Sequence, residues 1–248
     1  MAKSEALKQK VMTASEEECS DPARDGKCSK LRHLIRYLRE HYPSAGWWPA
    51  ETPFEVAIGA VLTQNTSWKN VEKAIGNLKK AAELTPSGIS VMNRSELETL
   101  LRPSGYFRQK AERLAAFSGF VRYTLNGDIC NLNGWRLEDA RNALLKIKGI
   151  GRETADSILL YACGMPSFVV DAYTFRLFSR TGITNGKERY DELKAFVEGC
   201  LEGRSEELRQ VHALIVEHSK DICRKKPLCG KCFYVKHCDT GHSITGRQ

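Results

Sequence analysis

The sequence lacks any uninterrupted apolar run of about 18 residues or more, which excludes a membrane-spanning helix. Its first residues, MAKSEALKQK, hold no apolar core of the kind a secretory signal needs. The chain is therefore expected to be cytoplasmic, with no membrane partner. Sustained apolar–polar alternation is missing as well, and the apolar stretch Ser167–Val170 is too short to build a sheet. What remains is an all-α protein of about ten helices, with short connections punctuated by Gly, Pro and Asn. Its 42% apolar and 27% charged content suits an ordinary globular chain, and 248 residues suffice for one large or two modest domains.

Positive charge is in excess, with a formal net charge of +8, which tilts the chain toward a polyanionic partner. Nine cysteines are many for a cytosolic protein unless some hold a metal. Five are scattered (Cys19, Cys28, Cys130, Cys163, Cys200). The other four, Cys223, Cys229, Cys232 and Cys238, share the stretch CRKKPLCGKCFYVKHC. Four soft thiolates so close suit a tetrahedral zinc or an iron–sulfur cubane, and spacing alone does not choose between them.

Residues 1–28 are polar, charged and aperiodic, and are expected to form a flexible tail. From Ser29 the spacing of Leu31, Leu34, Ile35 and Leu38 predicts a helix capped by that serine. Further helices are expected over 54–62, 68–82, 95–101, 109–124, 136–146, 152–163, 172–181, 190–201 and 205–222. Ser95 and Glu98 are spaced as a capping box.

Between two of these helices lies IKGIGRETADSI. Gly149 and Gly151 permit a sharp turn around Ile150, and Lys146, Lys148 and Arg152 surround it with positive charge. Backbone amides at such a helix start attract phosphate. Trp47, Trp48 and Trp68 are either core filling or a wall for a planar ligand. Gln64 and Asn65 fall at a helix end, where polar residues commonly cap.

Hairpin, VVDAYTFRL and the four-cysteine stretch occur in an order that resembles the endonuclease III, or helix-hairpin-helix-GPD, superfamily of DNA glycosylases. The likeness runs from about Leu31 to Cys238. WWP, FEVAIGAVLTQNTSW and LRPSGYFRQKAERL look most like its 3-methyladenine DNA glycosylase III branch. That resemblance implies two helical domains flanking a cleft: residues 54–165, with the hairpin at 140–160, and residues 29–53 with 166–240, followed by a tail at 241–248. It implies a monomer that binds double-stranded DNA carrying damaged bases. Gly149, Ile150 and Gly151 would grip the backbone with Lys148 and Arg152, with a monovalent cation at the hairpin. Gln64 would fill the gap left by an extruded base, Tyr106 would wedge the opposite strand, and Trp47, Trp48 and Trp68 would line the base pocket. Cys223, Cys229, Cys232 and Cys238 would hold a 4Fe–4S cluster in a loop at 223–238. Their first spacing is five residues where the family usually has six.

Asp171 would then be the catalytic carboxylate. A charged group after Val169–Val170 costs free energy unless it is partnered or used. Breaking an N-glycosidic bond builds positive charge on the sugar, which a nearby anion stabilises. Capping the next helix is the bland alternative for Asp171. Bifunctional members carry a lysine where this chain has Glu153, and glutamate cannot form a Schiff base. Hydrolysis without strand cleavage is therefore expected, most simply of alkylated purines, with Glu153 as an auxiliary group. An endonuclease III-like lyase using Lys148 on oxidised pyrimidines, and a non-catalytic DNA-binding or redox-sensing protein, are the alternatives.

Overall fold

The computed structural model describes residues 22–43, 50–81 and 83–245. Twelve α-helices and no strand occur among the described residues. No described helix is long and apolar enough to cross a membrane. Helix α1 (Pro22–His41) begins seven residues before Ser29, so residues 22–28 are helical and not a tail. Pro22 occupies the first turn, where its missing N–H costs nothing, and Asp25 favours the positive end of the helix.

One core is drawn from residues 54–165 and surrounds α2 (Pro53–Leu62). This helix is apolar nearly all round and so belongs in the middle of the packing. Thr52 caps it by accepting the Glu55 N–H at 3.1 Å, and buried Glu55 is paired with Lys79 at 2.9 Å. Around it pack α3 (Trp68–Ala81), α4 (Pro86–Val91), α5 (Arg94–Leu100), α6 (Phe107–Thr124), α7 (Leu137–Leu145) and α8 (Arg152–Ser157). Helix α8 runs on into a single π turn, Ile158–Ala162. The expected capping box at Ser95 is absent. Helix α5 starts one residue earlier, Asn93 accepts the Ser95 N–H at 2.9 Å, and Glu98 pairs with Arg94 instead.

A second core joins α1 to Leu160, Tyr161 and residues 168–170. It also takes in α9 (Ala172–Arg180), α10 (Tyr190–Cys200) and α11 (Ser205–Asp221). A short α12 (Asp239–Thr245) lies where a C-terminal tail from 241 was expected. Cys28 and Cys200, two of the scattered cysteines, are disulfide-bonded and tie α1 to the end of α10.

Fully buried Asp156 of α8 links the two cores. It accepts from Arg141 of α7 at 2.8 and 3.0 Å, from Ser167 at 2.6 Å and from Tyr190 of α10 at 2.8 Å. Arg141 also reaches Asp191 at 2.8 Å, and hydrogen bonding to Asp156 heads the causes that raise its pKa. Asp156→Ala leaves two hydroxyls without their acceptor and the part-buried guanidinium with Asp191 alone. It is expected to cost about 3–5 kcal/mol in urea unfolding; a loss under about 1 kcal/mol would show that the network does not hold the cores together.

Candidate active site

Helix α7 ends at Leu145, and the chain turns through Gly149 at φ 88°, a left-handed conformation that glycine adopts without cost. A Cβ there would collide with the Arg113 side chain, so both backbone and space require glycine. Gly151 differs. It caps α8 in ordinary extended backbone, with open space where a Cβ would stand. Its missing side chain leaves the outer edge of the turn bare. Ile150 anchors the turn in the first core. Arg152 is 3.3 Å from Asp191, and Lys148, 84% exposed, pairs with Glu112 at 2.8 Å.

Beyond α8, a cleft of about 850 Å³ opens with residues of both cores on its walls. It brings together Gln64, Trp68, Glu153 and Asp171, which lie far apart in sequence. Lys148 and Tyr106 do not line it. Trp47 and Trp48 fall outside the described residues. Trp68 is half-buried in the wall, and its indole N–H donates to Glu72 at 2.7 Å. Gln64 is held at both ends of its amide: it donates to Thr154 at 2.7 Å and accepts from Arg113. Tyr106 precedes α6 in a left-handed conformation (φ 46°), after Gly105, and stands 64% exposed. Its ring projects into solvent.

Asp171 serves as a cap and faces the cleft at once. Its Oδ1 accepts the Thr174 N–H at 2.8 Å and the Thr174 hydroxyl at 2.9 Å, which satisfies the start of α9. Its Oδ2 lies 3.6 Å from His212 Nε2 on α11. Burial would raise the carboxyl's pKa, but His212 and the Thr174 donors outweigh it and hold the pKa below its ordinary value. Glu153 behaves oppositely. It opens onto the cleft, yet crowding by protein removes enough water to push its carboxyl upward, and the charge of Asp171 adds to that. Two neighbouring carboxyls are thus driven apart in acidity, as groups with different tasks are.

The cleft also contains residues to which the sequence pointed weakly or not at all: His212, Tyr173, Glu217 and Lys220. His212 stands in the apolar run VHALIV, where a histidine is commonly core filling. Only its place one helix away from Asp171 gives it meaning.

At the other end of the second core, Cys223, Cys229, Cys232 and Cys238 all line one small cavity. Short 3₁₀ turns at Cys229–Lys231 and Val235–His237 bring the last three inward. Arg180 donates to the Cys223 sulfur at 3.4 Å, and the Gly241 N–H donates to the Cys238 sulfur at 3.4 Å. Burial and the neighbouring thiols push Cys232 up to about 11 and raise Cys238. Thiolates gathered around one cavity repel one another unless a cation compensates them. The donor set therefore fits a thiolate-held metal group, although no three metal-binding side chains among the described residues close on a single-ion geometry.

A glycine turn with a bare outer edge, leading into a cleft with a charged carboxylate in its wall, is the layout of helix-hairpin-helix base-excision proteins. The chain belongs to the HhH-GPD superfamily of base excision DNA repair proteins, whose family model matches residues 58–202, and is a DNA glycosylase of that family. It is 45% identical over 217 residues to a provisionally named DNA repair glycosylase of Methanocaldococcus jannaschii, covering 87% of this chain and 98% of that protein. Endonuclease III of Thermotoga maritima is 31% identical over 191 residues, 75% of this chain and 83% of its own length. Among solved structures, the H. pylori 3-methyladenine DNA glycosylase bound to 1,N6-ethenoadenine is 34% identical with a TM-score of 0.67. The match covers 77% of this chain and 97% of that one. A non-covalent endonuclease III–DNA complex gives a TM-score of 0.77 at 23% identity, over 89% of this chain and 99% of that one, a likeness of fold.

Proposed function

We propose that this glycosylase is monofunctional: it binds double-stranded DNA, extrudes a damaged base into the cleft and hydrolyses its N-glycosidic bond. The observation that carries the reading is the charged, buried Asp171 at the cleft, with a glutamate at the position where lyases have their lysine. As the bond breaks, its electron pair leaves with the base and positive charge develops on the sugar. Asp171 stabilises that charge and orients a water, whose oxygen bonds to the anomeric carbon. The water's surplus proton passes to the carboxylate and then to solvent. Glu153, with its raised pKa, assists at the same face.

An alkylated purine fits this cleft best. Such a base is cationic and leaves without a general acid. Glu72, Glu153, Asp171 and Glu217 outnumber Lys220 around the space, and Trp68 and Tyr173 offer ring faces. Backbone grip falls to the hairpin, gap filling to Gln64 and the wedge to Tyr106. Lys148 is a poor lyase nucleophile, being engaged with Glu112 outside the cleft. Cys223, Cys229, Cys232 and Cys238 would hold a 4Fe–4S cluster, which fastens the C-terminal loop to α9 and α11 and takes no part in bond cleavage.

A panel of duplexes, each with one lesion, tests the reading. Release of 3-methyladenine or 7-methylguanine is expected to be at least about tenfold faster than release of oxidised pyrimidines, the scale a specific pocket commonly supplies. The reverse order would replace the alkylpurine assignment.

A further inference from the structure

We infer that His212 is a positioning residue for Asp171, holding the carboxylate oxygen that the helix cap leaves free, with Tyr161 fixing the imidazole from behind. The inference rests on the reading of Asp171 as the catalytic carboxylate.

The two oxygens of Asp171 are treated differently. Thr174 supplies two donors, at 2.8 and 2.9 Å, and both go to Oδ1. They satisfy the cap but fix only one oxygen. Oδ2 meets His212 Nε2 at 3.6 Å, and His212 also lines the cleft. The other imidazole nitrogen, Nδ1, lies 2.6 Å from the Tyr161 hydroxyl. Tyr161, His212 and Asp171 are all buried, so water does not compete strongly for these contacts.

The order of the three groups matters chemically. The carboxylate beside Nε2 favours an imidazole proton on that nitrogen, and Nδ1 then takes the Tyr161 hydroxyl, which also lies 3.5 Å from the Arg209 carbonyl. An Nε2–H then holds the Oδ2 side of the carboxylate. Glu153, whose carboxyl is raised by desolvation and by the charge of Asp171, lines the same cleft. Tyr161 sits in the π turn, where a single wider turn changes the direction of the side chains that follow, a feature frequent at functional sites. A merely structural histidine has no need of this sequence of partners.

Single-turnover excision, lesion-duplex affinity and thermal melting of four variants test the inference. His212→Leu removes the donor, whereas His212→Gln keeps an amide N–H able to reach Oδ2. His212→Leu is expected to slow excision about 10- to 100-fold, the scale typical of groups that orient a functional ligand. Its affinity for the lesion duplex should stay within about twofold of the parent. His212→Gln should recover most of the lost rate. Tyr161→Phe should slow the parent about 3- to 10-fold, yet add nothing to His212→Leu, because it acts through the imidazole. In an Asp171→Asn background, His212→Leu should cost nothing further. A parental rate in His212→Leu, equal losses in the Leu and Gln variants, or independent losses in the double variants would each overturn the inference. Should His212→Leu fail to fold, the Gln and Phe variants and their double variant decide by the same criterion. If Asp171→Asn itself excises normally, the parent reading falls; if only His212→Leu does, this inference alone falls.

Discussion

Asp171→Asn is expected to lower single-turnover base excision by about two to four orders of magnitude, the range for losing a comparable electrostatic or acid–base group. The substitution separates the two tasks of this residue. Asparagine caps helices as well as aspartate, and its carbonyl oxygen can still accept both Thr174 donors. Folding and lesion binding should therefore survive, since the hairpin, Gln64 and the cleft walls are untouched. Only the charge is lost. Because the folded pKa of Asp171 lies below the ordinary carboxylate value, its charge contributes stability above the unfolded pKa. That contribution disappears only as pH falls through the depressed value, so near neutrality the parent carries the full anion. Near-normal excision by the Asn variant would reduce Asp171 to a cap and direct attention to Glu153.

Cys232→Ser is expected to remove most of the bound metal and unfasten residues 223–238. The parent protein should be yellow-brown, with broad absorbance at about 400 nm from thiolate-to-iron charge transfer. The thiol of Cys232 is pushed up to about 11, so near neutrality it would ionise only with a metal bound to it. Besides two short 3₁₀ turns, the loop is held by Phe233 stacked on His41, by the Tyr234 hydroxyl 3.2 Å from His33 Nδ1, and by Arg180 donating to the carbonyls of Cys223, Arg224 and Lys225. Without the group, limited proteolysis should cut first within this loop. Unchanged iron content and unchanged digestion in the variant would refute the assignment. Colourless parent protein with stoichiometric zinc would make the site a zinc site.

How far the sequence could be read depended on the range of the interaction behind each feature. Helices α2, α3 and α6 were legible because their apolar pattern is local, and α2 adds a Thr52 cap. The start of α1 was missed because the charged segment PARDGKC has no apolar period, and its helix is stabilised by first-turn Pro22 and by a disulfide 172 residues away in sequence. Asn93 took the cap expected of Ser95 because a helix start shifts easily by one or two residues when two good caps lie this close. Helix α12 was lost in a polar C-terminus without periodicity. Gly149 was legible as a glycine turn, but the reason for the residue, the Arg113 side chain beside it, is a tertiary contact. At the cleft, Asp171 stood out as a carboxylate ending an apolar run, and Glu153 stood out against the family's lysine. His212 and Lys220 did not. Their meaning depends on α11 crossing the end of α8, which no local pattern records.

The central claim, hydrolysis without lyase chemistry, is tested most directly by incubating the protein with a lesion duplex and running the strand with and without alkali. A hydrolytic enzyme with Glu153 in place of lysine leaves the sugar–phosphate backbone whole, so strand breaks should appear only after alkali. A β-elimination nick formed without alkali, at a rate matching base release, would contradict the account.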